Sequence, residues 1–168
     1  DTDRLKRVVQ EDFIRQSYDD TVKILQQKGS KIQWGADLGG DDETLLTADS
    51  PVPIFVTHYP AKVKAFYMEP GRENPHVVEC SDLLAPEGYG EIIGGSARVF
   101  RHDILMEKIL ENKLPPEAYE WYLDLRKWGS VPHAGFGIGL ERTISWICGL
   151  QHLREGIAFP RMLTRIYP

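Results

Sequence analysis

Gly135-Phe136-Gly137-Ile138-Gly139-Leu140-Glu141-Arg142 decides how this chain is read. Glycines at alternate positions strip the side chains from one face of an extended strand, so a flat ligand can lie on the backbone. The alternation stops at Gly139. The residues from there to about Gly149 read as a helix with Arg142 in its first turn. A strand that runs into a helix N-terminus bearing a guanidinium suits a polyphosphate. The same pattern fits a glycine-rich strand that simply packs closely on a neighbour. A Walker loop is excluded by the missing Gly-Lys-Ser/Thr, and a dinucleotide fold is disfavoured because no second βαβ half follows.

Upstream, Gly90-Glu91-Ile92-Ile93-Gly94-Gly95-Ser96-Ala97-Arg98 places a carboxylate and an arginine on either side of a diglycine. Strict alternation puts Glu91 and Arg98 on opposite faces of a strand. A bulge or bend at Gly94-Gly95 would bring them together. Glu91 could then hold a divalent cation or an ammonium, Arg98 an anion or a carbonyl, and Asp82 a second hard oxygen for Mg²⁺. The alternative is an edge strand with a surface ion pair of little energetic weight.

The remaining pattern is mixed. An N-terminal helix breaks near Phe13-Ile14-Arg15, and Ser17 caps a second helix carrying Val22, Ile24 and Leu25 that Gly29 stops. Residues 35–42 read as a loop and Asp42 to Asp49 as a short helix. Strands follow at Ile54–His58, Lys62–Met68, Val77–Leu84 and Glu91–Val99. Their short connections predict antiparallel pairing. Leu105, Ile109 and Leu110 mark one helical face, Pro115-Pro116-Glu117 opens another helix that ends at Gly129, and Pro132–Ile138 is a strand. The last ten residues read as extended.

The 168 residues suffice for one domain, and 42% hydrophobic with 27% charged residues is a globular composition. No uncharged apolar run reaches the roughly 18 residues of a membrane span, and Asp1-Thr2-Asp3-Arg4 does not open a signal peptide. The expected location is cytoplasmic, with no membrane partner. A net charge of −5 argues against nonspecific nucleic-acid binding, though a local patch can still meet RNA. Cys80 and Cys148 have no metal or redox spacing and read as reduced, buried thiols. The five histidines have no zinc spacing; His133 stands out only for its place before the glycine strand.

Taken together, Gly135–Arg142 with Trp146-Ile147 resembles motif 3 of the class II aminoacyl-tRNA synthetases. Lys64-Ala65-Phe66-Tyr67-Met68, Asp82-Leu83-Leu84-Ala85-Pro86, Tyr119 to Arg126, Ser130-Val131-Pro132-His133 and the tail from Phe159 to Pro168 are similar to the asparaginyl branch. The resemblance implies an α+β fold, an antiparallel sheet flanked by helices. It implies ATP-dependent activation of asparagine and transfer to tRNA(Asn), by an enzyme that is a homodimer when full length. It assigns Arg142 to the γ-phosphate, Gly139, Leu140 and Glu141 to the ATP site, and Glu91 to ATP-bound Mg²⁺ with Asp82 beside it. It assigns Arg98, with Gly94 nearby, to the amino-acid substrate.

Two positions depart from the pattern. Gly94 stands where aspartyl relatives often carry a serine, which removes a side-chain metal contact. Gly156 and Ala158 stand where Thr and Pro are expected. Motifs 1 and 2 and the anticodon-binding barrel are not visible, so residues 1–168 are expected to be the C-terminal part of a catalytic domain, inactive alone. The competing readings are an asparagine-synthetase-like paralogue that transfers activated aspartate to ammonia, an aspartyl-tRNA synthetase, and a synthetase-derived nucleotide-binding or regulatory module. Arg98 offers only donors and by itself favours aspartate. The acid that selects asparagine is therefore expected upstream of Asp1.

Overall fold

The computed structural model describes residues 2–167, the side chain of Arg4 excepted. Helix α1 (Asp3–Gln10) leads into strand β1 (Ile14–Ser17), and α2 (Tyr18–Gln27) and α3 (Gly40–Thr47) follow before β2 (Ile54–Thr57). Then come β3 (Cys80–Ala85), β4 (Gly90–Ala97), α4 (His102–Glu111), α5 (Glu120–Lys127), β5 (Ala134–Ile138) and α6 (Leu140–Cys148). The five strands form one sheet in chain order. β1 and β2 run parallel, and every other pair is antiparallel. The fold is α+β with a mixed sheet.

The parallel pair corrects the purely antiparallel expectation. Parallel neighbours need a crossover, and α2 with α3 supplies it. The N-terminal helix does break before Phe13-Ile14-Arg15, ending at Gln10, but Ile14 and Arg15 open a strand that the sequence did not reveal, β1, whose four residues are too few to display an alternation. Ser17 does cap α2, its Oγ accepting from the Asp20 amide at 3.1 Å. The strand expected at Lys62–Met68 is absent: a 3-10 turn covers Ala61–Val63, and only Met68 makes a bridge, to Arg98. The tail is not extended throughout, since it turns back at residues 163–164 and Met162 pairs with Arg165.

Each face of the sheet has its own core. On one face, Tyr18, Val22 and Leu25 of α2 and Leu46 of α3 pack on Ile54, Val56, Cys80 and Leu84. On the other, Trp146 of α6 packs with Leu83, Ala85 and Ile92, joined by Val8, Phe13 and Phe55. A third cluster of Val99, Leu105, Ile109 and Leu123 fixes α4 and α5 at the end of β4. The Arg126 guanidinium closes it, donating to the Val99 carbonyl at 3.0 Å. Leu110, assigned to the same apolar face, is exposed, and Cys148 is exposed where burial was expected; Cys80 is buried. Among the described residues no helix is long and apolar enough to cross a membrane.

Candidate active site on a glycine strip

β4 carries the site because of an extra residue. Leu83 pairs with Ile93 and Leu84 with Glu91, so the register shifts by one residue at Ile92. Both isoleucines then turn toward the Trp146 core. A bulge of this kind reverses the alternation upstream of it. Glu91 therefore shares a face with Gly94, Ser96 and Arg98. The bend expected at Gly94-Gly95 is not there: both pair continuously with β3 on one side and β5 on the other. Glu91 and Arg98 still reach one face, by a bulge two residues earlier than expected.

On that face the glycines are spaces that charged side chains fill. A Cβ on Gly94 would lie 2.7 Å from Glu91 Oε1 and 3.4 Å from Asp82 Oδ1. A Cβ on Gly135 would lie 3.0 Å from Arg98 Nη2. Nothing lies within 4 Å of the corresponding point on Gly137, which pairs with Gly94. A Cβ at 94 or 135 would displace these side chains, and at 137 the strip is open. The expectation of a bare strand face holds, and its neighbours are charged.

Arg98 is held in place. Its Nη1 donates to Ser96 Oγ at 2.6 Å, its guanidinium lies 4.7 Å from the Tyr67 ring centroid, and its amide donates to the His133 carbonyl. Among the described residues no carboxylate lies within ion-pair distance of it. A guanidinium fixed by a hydroxyl and an aromatic ring, with no anion of its own, is ready to receive an external acceptor. His133 contributes its backbone; its ring Nδ1 faces the Val131 carbonyl at 2.8 Å.

Arg142 lies where the strand meets α6. Its side chain runs along Gly139, and Nη1 donates to the Glu91 carbonyl at 3.1 Å. It borders an open cavity of about 570 Å³ that Glu87, Tyr89 and Ser145 also line. Leu140 is exposed and Glu141 stands in the first turn of α6, which opens at Gly139.

Asp82 is buried in β3 and Glu91 is half-buried. Burial first, then the charges of Asp82 and Glu43, raise the Glu91 pKa, against the pull of Lys64 and Arg142. Its backbone amide donates to Glu43 Oε2 at 2.9 Å. Two carboxylates thus converge on one point above Gly94, a donor set of hard oxygens suited to magnesium. Three partners were missed from the sequence: Lys64, which binds Asp82 at 2.8 Å; Glu43; and Tyr67 under Arg98. Lys64 had a signal. It is a lone charge in Val63-Lys64-Ala65-Phe66, and Asp82 is the lone charge in Cys80–Ala85. Two isolated opposite charges in apolar segments call for each other.

Comparison with known proteins supplies the family. The model for tRNA synthetases class II (D, K and N) matches residues 2–163. The chain is 53% identical over 168 residues to the asparagine–tRNA ligase of Pelotomaculum thermopropionicum, covering 100% of this chain and 39% of that protein. Asparaginyl-tRNA synthetase from Pyrococcus horikoshii, in its crystal structure complexed with asparaginyl-adenylate, matches with a TM-score of 0.95 and 50% identity. That match covers 100% of this chain and 38% of the other. Aspartyl-tRNA synthetase from Entamoeba histolytica matches with a TM-score of 0.85 and 28% identity, over 93% of this chain and 33% of its own. The chain therefore spans 39% or less of the length of these relatives. A family model that takes in residues 2–163, and a relative 53% identical over the whole chain, make this chain a member of the class II tRNA synthetases of the D, K and N group.

Proposed function

We propose that residues 1–168 are the C-terminal part of the catalytic domain of an asparagine–tRNA ligase, with motif 3 at Gly135–Arg142. The intact enzyme activates asparagine with ATP and transfers it to tRNA(Asn), acting as a cytoplasmic homodimer. Motifs 1 and 2 and the anticodon-binding domain belong to the rest of that enzyme. The observation that carries this reading is the convergence of Asp82, Glu91 and Arg98 on one strip of bare backbone, with Arg142 at its end.

The chemistry needs placement and charge neutralisation more than a protein nucleophile. The asparagine carboxylate attacks the α-phosphorus, the bond to the bridging oxygen breaks, and pyrophosphate leaves. The 3′-terminal hydroxyl of the tRNA then attacks the aminoacyl carbonyl, and AMP leaves. Arg142, with the α6 N-terminus at Gly139, Leu140 and Glu141, grips the γ-phosphate end of ATP. The open strip at Gly137 gives the nucleotide a flat backbone to lie on. Arg98 donates to the side-chain carbonyl of asparagine. Glu91 and Asp82 would hold Mg²⁺, since Glu91 Oε1 and Asp82 Oδ1 come to 2.7 and 3.4 Å of the point that a Cβ on Gly94 would occupy, and the ion would supply positive charge to the phosphates there.

Asparagine is favoured over aspartate by 50% identity to an asparaginyl enzyme against 28% to an aspartyl one. Arg98 cannot make that choice, since it only donates. The acceptor for the substrate NH₂ group is assigned to residues outside this chain. ATP–pyrophosphate exchange in the full-length protein tests the reading. Asparagine should drive exchange at least about a hundredfold better than aspartate. Equal rates, or exchange driven by aspartate alone, would overturn it.

A further inference from the structure

Lys64 follows the 3-10 turn Ala61–Val63, and its side chain is largely buried against that of Asp82. Nζ donates to Asp82 Oδ2 at 2.8 Å, lies 3.6 Å from Asp37 Oδ1, and stands 3.9 Å from the Tyr59 ring centroid. The two oxygens of Asp82 are thereby divided. Oδ2 is committed to the ammonium, while Oδ1 faces the point above Gly94 where Glu91 Oε1 also arrives. Glu43 accepts from the Glu91 amide, and Arg142 donates to the Glu91 carbonyl. Among the described residues no group of three His, Cys, Asp or Glu side chains converges as a metal site. The point above Gly94 has two carboxylates, and one of them already carries a fixed cation.

Such a site is poor for a bare divalent ion. Magnesium gives up its water reluctantly and is ordinarily held by one or two carboxylates together with substrate phosphates. A fixed ammonium within a few ångströms repels a divalent cation strongly, because the surroundings are partly buried and screen little. Phosphate oxygens restore the missing negative charge. We propose that Lys64 is a positioning residue that aims Asp82 Oδ1 at the cation site and, by its charge, makes the site accept a divalent cation only together with the nucleotide. Lys64 thus orders binding, keeping the apo site free of a bare ion while holding its carboxylates ready. This rests on the reading of Asp82 and Glu91 as the magnesium side of the ATP site.

The test uses Mn²⁺ as the probe. Free Mn²⁺ is measured by electron paramagnetic resonance in the full-length protein, with and without a non-hydrolysable ATP analogue, and circular dichroism confirms folding. The wild type should bind Mn²⁺ weakly alone and at least about tenfold more tightly with the analogue. Lys64→Met and Lys64→Gln should both tighten nucleotide-free binding by about tenfold or more, while Lys64→Arg, which keeps the charge, should behave as wild type. Gln retains a donor toward Asp82 and carries the test if the Met variant does not fold. A merely structural lysine would lower stability without tightening Mn²⁺ binding. If a folded uncharged variant binds bare Mn²⁺ no more tightly than the wild type, the proposal fails. It fails equally if the wild type binds Mn²⁺ as tightly alone as with the analogue. Glu91→Gln separates the two claims: if it leaves Mn²⁺ binding with the analogue unchanged, the magnesium reading itself is wrong.

Discussion

β3 and β5 flank the same strand, and their surroundings are opposite. Of the six residues of β3, all but Ser81 are buried, whereas four of the five in β5 are exposed. β3 lies between two cores: Leu84 faces α2 and α3, while Leu83 and Ala85 face Trp146. β5 has glycine at 135 and 137 on the site face and an exposed Phe136 on the other. The difference separates two jobs. The β1–β3 half supplies the buried apolar area that stabilises the chain. The β4–β5 half gives up side chains, and the charged groups of Asp82, Glu91 and Arg98 approach its backbone. Asp82 and Glu91 lie at the seam, rigid on the β3 side and open on the β5 side.

The largest effects should come from the β3 side. Leu84→Ala should cost about 2–5 kcal/mol in chemical denaturation, since Leu84 is 1% exposed and leaves a cavity between packed helices. Phe136→Ala, at a residue 74% exposed, should change the stability of the 168-residue chain by no more than about 0.5 kcal/mol. A loss above about 2 kcal/mol for Phe136→Ala in the full-length protein would sharpen the contrast, by showing that another segment packs on the back of β5.

A middle-sized effect falls at the seam. The Cβ of Gly94→Ala would come within 2.7 Å of Glu91 Oε1, the far end of a side chain that can swing aside. Stability should fall by about 1 kcal/mol or less. Asparagine-dependent exchange in the full-length protein should fall at least about tenfold, because the displaced carboxylate leaves the point it shares with Asp82. A large thermal destabilisation with normal exchange would reverse the division of labour.

The architecture was only partly legible, and for definite reasons. The β5–α6 unit could be read because alternating glycines and a helix start are local signals, and Gly149 closes α6 in the left-handed conformation as a stop signal should. β1 could not, since a parallel partner 40 residues away leaves no local trace in four residues. Lys62–Met68 looked like a strand from its aromatic residues, but strand propensity measures fit to a half-buried pleated surface. Phe66 instead packs on the α4–α5 cluster, and Tyr67 lies under Arg98. The bulge was assigned to the glycines because glycine often marks one. The better clue was the doublet Ile92-Ile93, two adjacent apolar residues that both need the same core. Glu91, Arg98 and Arg142 stood out in the sequence as charges set beside glycines. Glu43 did not, because its contact with Glu91 appears only once α3 folds over the sheet, and Lys64 showed only as an isolated charge whose partner the fold supplies.

The smallest effect concerns Glu69, a carboxylate that lines a cavity with Arg98 and Arg101. Among the described residues Glu69 Oε2 is buried without a hydrogen-bond partner, and burial raises its pKa despite the nearby Arg101. A carboxyl whose pKa is raised on folding favours the folded state below its unfolded value and loses that contribution as pH rises through its folded value. Glu69→Gln should therefore raise Tm by about 1–2 °C at pH 8 and not at pH 4. An equal shift at both values would assign the effect to packing.

The central claim is that the charged residues along the glycine strip are kept for activation and contribute little to holding the fold together. Its most direct test is asparagine-dependent ATP–pyrophosphate exchange by Glu91→Gln in the full-length protein. The variant keeps the volume of the side chain and removes a charge that burial and neighbouring carboxylates already disfavour. Exchange should fall at least about a hundredfold while the protein remains folded. Exchange within about twofold of the wild type would contradict the account, because the carboxylate above Gly94 would then have no part in the reaction.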